Sequence, residues 1–166
     1  MGTKNLYNKE AQEKIAELVN DIDFCMMATG LTKKPFGAIP MSTKKVDDHG
    51  KIWFLSNANS DHNKNLEMDQ DIQLIYSDPS DMEFLSLYGQ AMITRDQSII
   101  DELYGKADDN WFNGKNDPNI TAICVSPKEA YYWDTKSNKL VTLFKMGVGA
   151  ITGEKQDIGE KGKLEV

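Results

Sequence analysis

Cysteine and histidine are both scarce, with two of each in 166 residues. Cys25 and Cys124 sit inside apolar runs and form no CxxC pair. That excludes a disulfide framework or a cysteine zinc site and points to a reducing cytoplasm. His49 falls in a turn and His62 near a helix start, with no HExxH pattern around them, so no metal is expected. No G-x-S-x-G elbow, G-x-G-x-x-G turn or P-loop occurs. No apolar run approaches the roughly 20 residues that cross a bilayer, and the charged N-terminal stretch is not a signal-peptide core. A membrane is therefore not expected as a partner. Cations are outnumbered, 19 Lys and Arg against 26 Asp and Glu, for a net charge of −7. Such a field repels a phosphate backbone and argues against nucleic acid.

What remains is an ordinary globular composition, 40% hydrophobic and 27% charged, at the length of one core. Ala11, Ile15, Leu18, Val19 and Ile22 recur at helical spacing, with Asn8 as the expected N-cap. The period then changes to strands: 24–29, and 37–46 with Pro40 marking an edge or bulge. The turn Asp47-Asp48-His49-Gly50 leads to a returning strand over 51–56. A helix is expected from Ser60 to about Met68, then a strand over 72–77 and a long one over 83–94, in which Gly89 marks a bulge or a close backbone approach. Asp96 caps a helix carrying Ile99, Ile100, Leu103 and Tyr104, stopped by Gly105. Strands follow over 121–126 and 130–134, joined by Pro127-Lys128-Glu129, with a last strand over 140–146. The glycine-bearing stretch 147–166 reads as an irregular tail to a single domain over 1–146. About seven strands joined by tight turns mean antiparallel pairing, in a mainly β barrel or sandwich with peripheral helices.

The segment Phe54-Leu55-Ser56-Asn57-Ala58-Asn59-Ser60-Asp61-His62-Asn63-Lys64 carries the clearest chemistry. A strand ends in small polar residues and a helix begins at Ser60. Free N–H groups, the Ser60 hydroxyl, His62 and Lys64 would make a reasonable phosphate seat, although spacing alone favours Ser60 as only a cap and Lys64 as a solvated side chain. Lys44 and Lys45 could add charge, one of the two facing any given side. Trp53 and Trp133 sit on strands. Trp111-Phe112 lies in a polar loop and is open to three readings: packing under the loop, lining a pocket, or meeting a second subunit.

Taken in order, these pieces resemble the pyridoxamine-phosphate-oxidase-like flavin mononucleotide (FMN) proteins, and in particular their general stress protein branch. The resemblance is carried by Gly37-Ala38-Ile39-Pro40-Met41 with Trp53-Phe54-Leu55-Ser56, by Ser60 to Lys64, and by Tyr88-Gly89-Gln90-Ala91. It continues through Trp111-Phe112-Asn113-Gly114-Lys115-Asn116-Asp117-Pro118 and Tyr131-Tyr132-Trp133-Asp134, so that it spans about residues 10 to 146. It implies an antiparallel split β-barrel and a homodimer with flavin between the subunits. Pro40, Met41, Phe54, Leu55 and Ser56 would border the ring and ribityl chain. Ser60, His62 and Lys64 would hold the phosphate. Trp133 would approach from the second subunit, with Gln90 and Trp111 near the same cleft.

Two departures matter. Relatives often carry arginine where this chain has Ile39, and lysine where it has His62. Both changes remove fixed positive charge from a phosphate seat. The resemblance implies a flavin-dependent oxidoreductase with an unidentified small-molecule substrate and electron donor, and no catalytic side chain stands out. A non-catalytic protein that binds or senses flavin is the alternative. True pyridoxamine phosphate oxidation is not expected, because a second cationic seat for its substrate is not visible.

Overall fold

The computed structural model describes residues 2–135 and 159–166. Helix α1 (Asn8–Ile22) buries Ala11, Ile15, Leu18 and Val19, the stripe its spacing defines. Its boundary differs by one residue from expectation. Tyr7 occupies the cap position, and Asn8 is the first helical residue with φ 50°. At the other end Asp23, with φ 65°, turns the chain straight into strand β3 (Phe24–Thr29). Strands β1 (Gly2–Thr3) and β2 (Leu6–Tyr7) precede the helix.

The expected strand over 37–46 is two strands at a corner. β4 (Gly37–Ser42) pairs antiparallel with β3, and β5 (Lys45–Val46) pairs with β6 (Ile52–Asn57). The switch is visible in two adjacent N–H groups. Thr43 N donates to Asp23 O at 2.8 Å, and Lys44 N donates to Trp53 O at 2.8 Å. β4 lies at the end of the sheet order, where a proline is tolerated.

Helix α2 (Asp61–Met68) is followed by β7 (Asp71–Asp78), β8 (Glu83–Thr94), α3 (Gln97–Leu103) and a 3₁₀ turn, Lys106–Asn110. The two segments expected over 121–126 and 130–134 form one strand, β9 (Ile120–Asp134). The expected connection is a bulge within it. Tyr88 pairs with Glu129 and Gly89 with Pro127, so Lys128 is the extra residue. Gly89 is required there, because a Cβ would stand 2.6 Å from Ser126 O.

β9 organises the molecule. β8 runs along one edge of it, while β6 pairs its first half and β10 (Glu160–Glu165) its second. The expectation of an irregular tail therefore fails for Glu160–Glu165. On its other edge β10 holds β1 and β2 in parallel register. Gly162 lets that seam form, since a Cβ would fall 1.9 Å from Lys4 O. The strand expected over 140–146, and the glycines at 147, 149 and 153, lie outside the described residues.

The sheet, with its order β1-β10-β9-β8-β7-β3-β4, wraps one main core that includes Ile15, Met27, Phe54, Leu74, Leu87, Ile123 and Tyr132. A second cluster of Leu55, Ile100, Leu103, Ile120 and Ala122 lies under α3. β6 thus contributes to both clusters, which explains its continuous apolar run. The architecture is the expected mainly β split barrel with peripheral helices, antiparallel except where β1 and β2 meet β10; the sheet does not close on itself.

Candidate functional site

Ser60 caps α2 by accepting from Asn63 N at 3.3 Å, and the N–H groups of Asp61 and His62, in the first turn, have no intrahelical acceptor. Behind the cap lies a buried polar relay. Thr121 Oγ1 donates to Ser56 O (3.1 Å), and Asn63 Nδ2 donates to Thr121 Oγ1 (2.8 Å). Asn63 Oδ1 then accepts the Ser56 hydroxyl hydrogen at 2.6 Å. Ser56 Oγ has no second hydrogen to give. The 2.6 Å contact with His62 must therefore be Nε2–H donating to Ser56 Oγ. Ser60 Oγ lies 3.0 Å from the same nitrogen. The relay fixes the tautomer of His62 and leaves Nδ1 without a part in it.

Burial holds His62 below the ordinary histidine pKa, and the Asp61 carboxylate pulls the other way. Lys64, one turn on, is exposed and donates to Asp61 Oδ1 at 3.2 Å. The far side of α2 is fixed by Asn65, which donates to Thr29 Oγ1 (3.2 Å) and accepts from Lys33 Nζ (2.6 Å). A Cβ on Gly37, the first residue of β4, would stand 3.5 Å from Asn65 Nδ2, so β4 starts beside α2 and Pro40 and Met41 lie roughly 10 Å further along the strand. Pro40 is exposed and Met41 packs partly on the core.

Ser56, Ser60 and His62 thus form one bonded group, with Lys64 beside it. Other expected residues are placed elsewhere. The Phe54 ring is fully buried in the main core and Leu55 lies in the second cluster, so only their backbone can face a ligand. Gln90 is exposed in mid-strand opposite Ser126. Trp111 is 81% exposed, while Phe112 packs against the second cluster. Their loop is tied to the sheet corner through Asp108, which accepts from Lys44 Nζ and Gly105 N, each at 2.7 Å. Lys45 pairs with Glu102 on α3. The two lysines therefore go to different partners, and both are committed to structure.

Trp133 lies twelve residues beyond Thr121 on β9, on the order of 35 Å along the strand. It forms one wall of an apolar cleft of about 490 Å³ with Ile75, Phe84 and Ser86, and its ring centroid is 4.7 Å from that of Tyr131. Register pairs Met26 with Ile75, and Phe24, two residues before Met26 on β3, shares its face of the sheet. Phe24, Met26 and Ile75 are 62%, 43% and 46% exposed, so this apolar face is open over several strands.

Sequence reasoning missed Asn63 and Thr121, which orient Ser56 and His62, and it missed Asp108. An asparagine three residues after a helix cap and a threonine opening an apolar strand were the available signals. Neither thiol is poised for chemistry: both cysteines are buried and free, burial pushing Cys25 up to about 12 and Cys124 upward. No group of metal-ligating side chains occurs among the described residues, and no described helix is long and apolar enough to cross a membrane.

Residues 10–157 match the model of a family described as pyridoxamine 5'-phosphate oxidase like. Among solved structures, general stress protein 26 from Jannaschia sp. CCS1 superposes with a TM-score of 0.82 at 23% identity, over 96% of this chain and 100% of that one. A Clostridium acetobutylicum protein related to general stress protein 26 gives 0.65 at 22% identity, over 79% and 93%. The general stress FMN/FAD binding protein of Xanthomonas citri gives 0.66 at 23% identity, also over 79% and 93%. No curated protein matches.

Proposed function

The chain belongs to the pyridoxamine 5'-phosphate oxidase like family, and from that premise we propose that it binds FMN as a homodimer and is a general stress type oxidoreductase acting on a small molecule. The observation that carries this reading is the Ser56–Ser60–His62 group at the N-terminus of α2, with Trp133 at the opposite end of β9. The donor set suits a phosphate: the first helix N–H groups, the Ser60 hydroxyl, the free edge of His62 and the Lys64 ammonium. Such a ligand is far shorter than the span to Trp133 in the same chain. A two-fold partner would bring its own Trp133 to the ring and cover the open apolar face of Phe24, Met26 and Ile75.

Pro40, Met41 and the backbone at Phe54 and Leu55 would border the ring and ribityl chain. Bound flavin supplies hydride or electron transfer; the protein positions the ring and keeps water from it. Two free buried thiols suit a cytoplasmic setting.

A flavin-binding or flavin-sensing protein without turnover is the second reading. It is favoured because His62 is the one imidazole among the proposed site residues, and it is taken up by the phosphate seat. Titration with FMN and riboflavin, followed by flavin fluorescence, tests binding. Failure of both to saturate by about a millimolar, roughly 4 kcal/mol of association free energy, overturns the proposal. Oxidation of a reduced nicotinamide by the flavin-loaded protein separates the two readings.

A further inference from the structure

The relay behind Ser56 leaves His62 with one free nitrogen. With Nε2–H committed to Ser56 Oγ, Nδ1 accepts when the ring is neutral and donates only when the ring carries a second proton. The charges around it are nearly balanced. On α2 the Asp61 carboxylate is bonded to the Lys64 ammonium. β6 and β9 present the neutral Ser56 and Thr121 to the relay. On the β3 side Lys33 is held by Asn65, and at the end of β8 the Arg95 guanidinium donates to Pro118 O at 3.3 Å. A phosphate monoester placed at this helix end meets an acceptor edge on the imidazole, and a cation already shared with a carboxylate.

We propose that His62 makes phosphate recognition proton-coupled: the phosphorylated ligand binds with uptake of one proton at Nδ1, which then donates to a phosphate oxygen. This rests on the flavin reading given above. Burial disfavours the imidazolium in the free protein, so the proton arrives with the ligand rather than before it. The sign follows directly. The free-state pKa is held down and the bound-state pKa is raised by the anion. Between the two, the complex holds one more proton than its parts, so affinity for the phosphate rises as pH falls, by up to about tenfold per unit. A fixed cation gives the opposite trend, because the ester itself becomes a dianion above about pH 6.

The test is the ratio of FMN to riboflavin affinity from about pH 6.5 to 8.5, above the lowered free-protein pKa of His62, where only the anion-bound ring would hold its second proton. Wild type is expected to lose its preference for FMN as pH rises. His62→Lys is expected to keep the preference across the range. His62→Gln is expected to show a low, nearly constant ratio, with riboflavin affinity reporting that the fold and ring site are intact. A flat ratio in wild type overturns the inference and leaves flavin binding standing. An unchanged slope in His62→Gln also overturns it, by assigning the proton to the ester. Binding of neither flavin removes the functional reading and this inference with it.

Discussion

Trp53 donates its indole N–H to Asp47 Oδ2 at 2.9 Å, so the half-buried aromatic of β6 is tied to the turn that leads into it. The same carboxylate accepts from His49 N at 2.9 Å and Lys51 N at 3.0 Å. Burial works against its charged form, but the Trp53 hydrogen bond and the two backbone bonds outweigh it, leaving Asp47 below the usual aspartate pKa. A folded-state pKa below the unfolded one contributes stability that is present above the unfolded value and lost as pH falls through the folded one. Asp47→Ala is expected to cost about 1.5–3 kcal/mol at neutral pH, a hydrogen-bonded charge being lost. Chemical denaturation at neutral and strongly acidic pH checks this: the gap between variant and wild type should shrink in acid.

Gly89→Ala places a methyl where Ser126 O stands 2.6 Å away. The bulge at Lys128 cannot absorb this without moving β9, so a loss of about 1–3 kcal/mol is expected, as for other overpacked sites. Denaturant midpoints measure it, and an unchanged midpoint would show that the bulge is looser than described.

Ser60→Ala with Lys64→Ala is expected to weaken FMN tenfold or more while sparing riboflavin, charge-assisted hydrogen bonds being worth roughly 1.5–3 kcal/mol each. Added salt should erode the wild-type preference for the same reason. Equal weakening of both ligands, read by fluorescence titration, would reduce these residues to a helix cap and a solvated cation.

Shared sites make a complementation test possible. A dimer of Trp133→Ala has two phosphate seats and no tryptophan, and a Ser60→Ala, Lys64→Ala dimer has the converse. After unfolding and refolding together, half the dimers are mixed, and each mixed dimer regains one complete site, about a quarter of the total. Recovery of that fraction of high-affinity FMN binding is expected. No recovery, or a monomer by light scattering, would reject the shared site.

Local chemistry was readable from the sequence, and partner choice was not. Ser60 and Asp96 cap their helices as their spacing implies, and Gly89 marks a close approach. Each of these is decided within a few residues. The break at Thr43–Lys44 depends on which of two distant strands, β3 or β6, offers the nearer edge. Pro127 looked like an end of strand because proline cannot donate; a bulge opposite a glycine removes that need. Glu160–Glu165 is polar and glycine-bearing, and it becomes a strand because β9 presents a free edge beyond β6. In the site, the cap, His62 and Lys64 were legible as a helix start. Asn63 and Thr121 were not, because their value lies in a relay across two strands and a helix.

The pairing of β10 with β1 and β2 has a kinetic meaning. Asn5 Oδ1 accepts from Lys163 N across 158 positions of sequence. The β7–β8 hairpin, by contrast, needs only the short turn after Asp78. Loop-closure entropy grows with the length of chain enclosed, so the hairpin is available early and the seam between β10 and the N-terminal strands late. Throughout that interval the outer edge of β9 beyond β6 stands unpaired, a template for any extended strand that reaches it. The order of these two events, rather than the stability of the finished sheet, sets how long the emerging protein is open to aggregation.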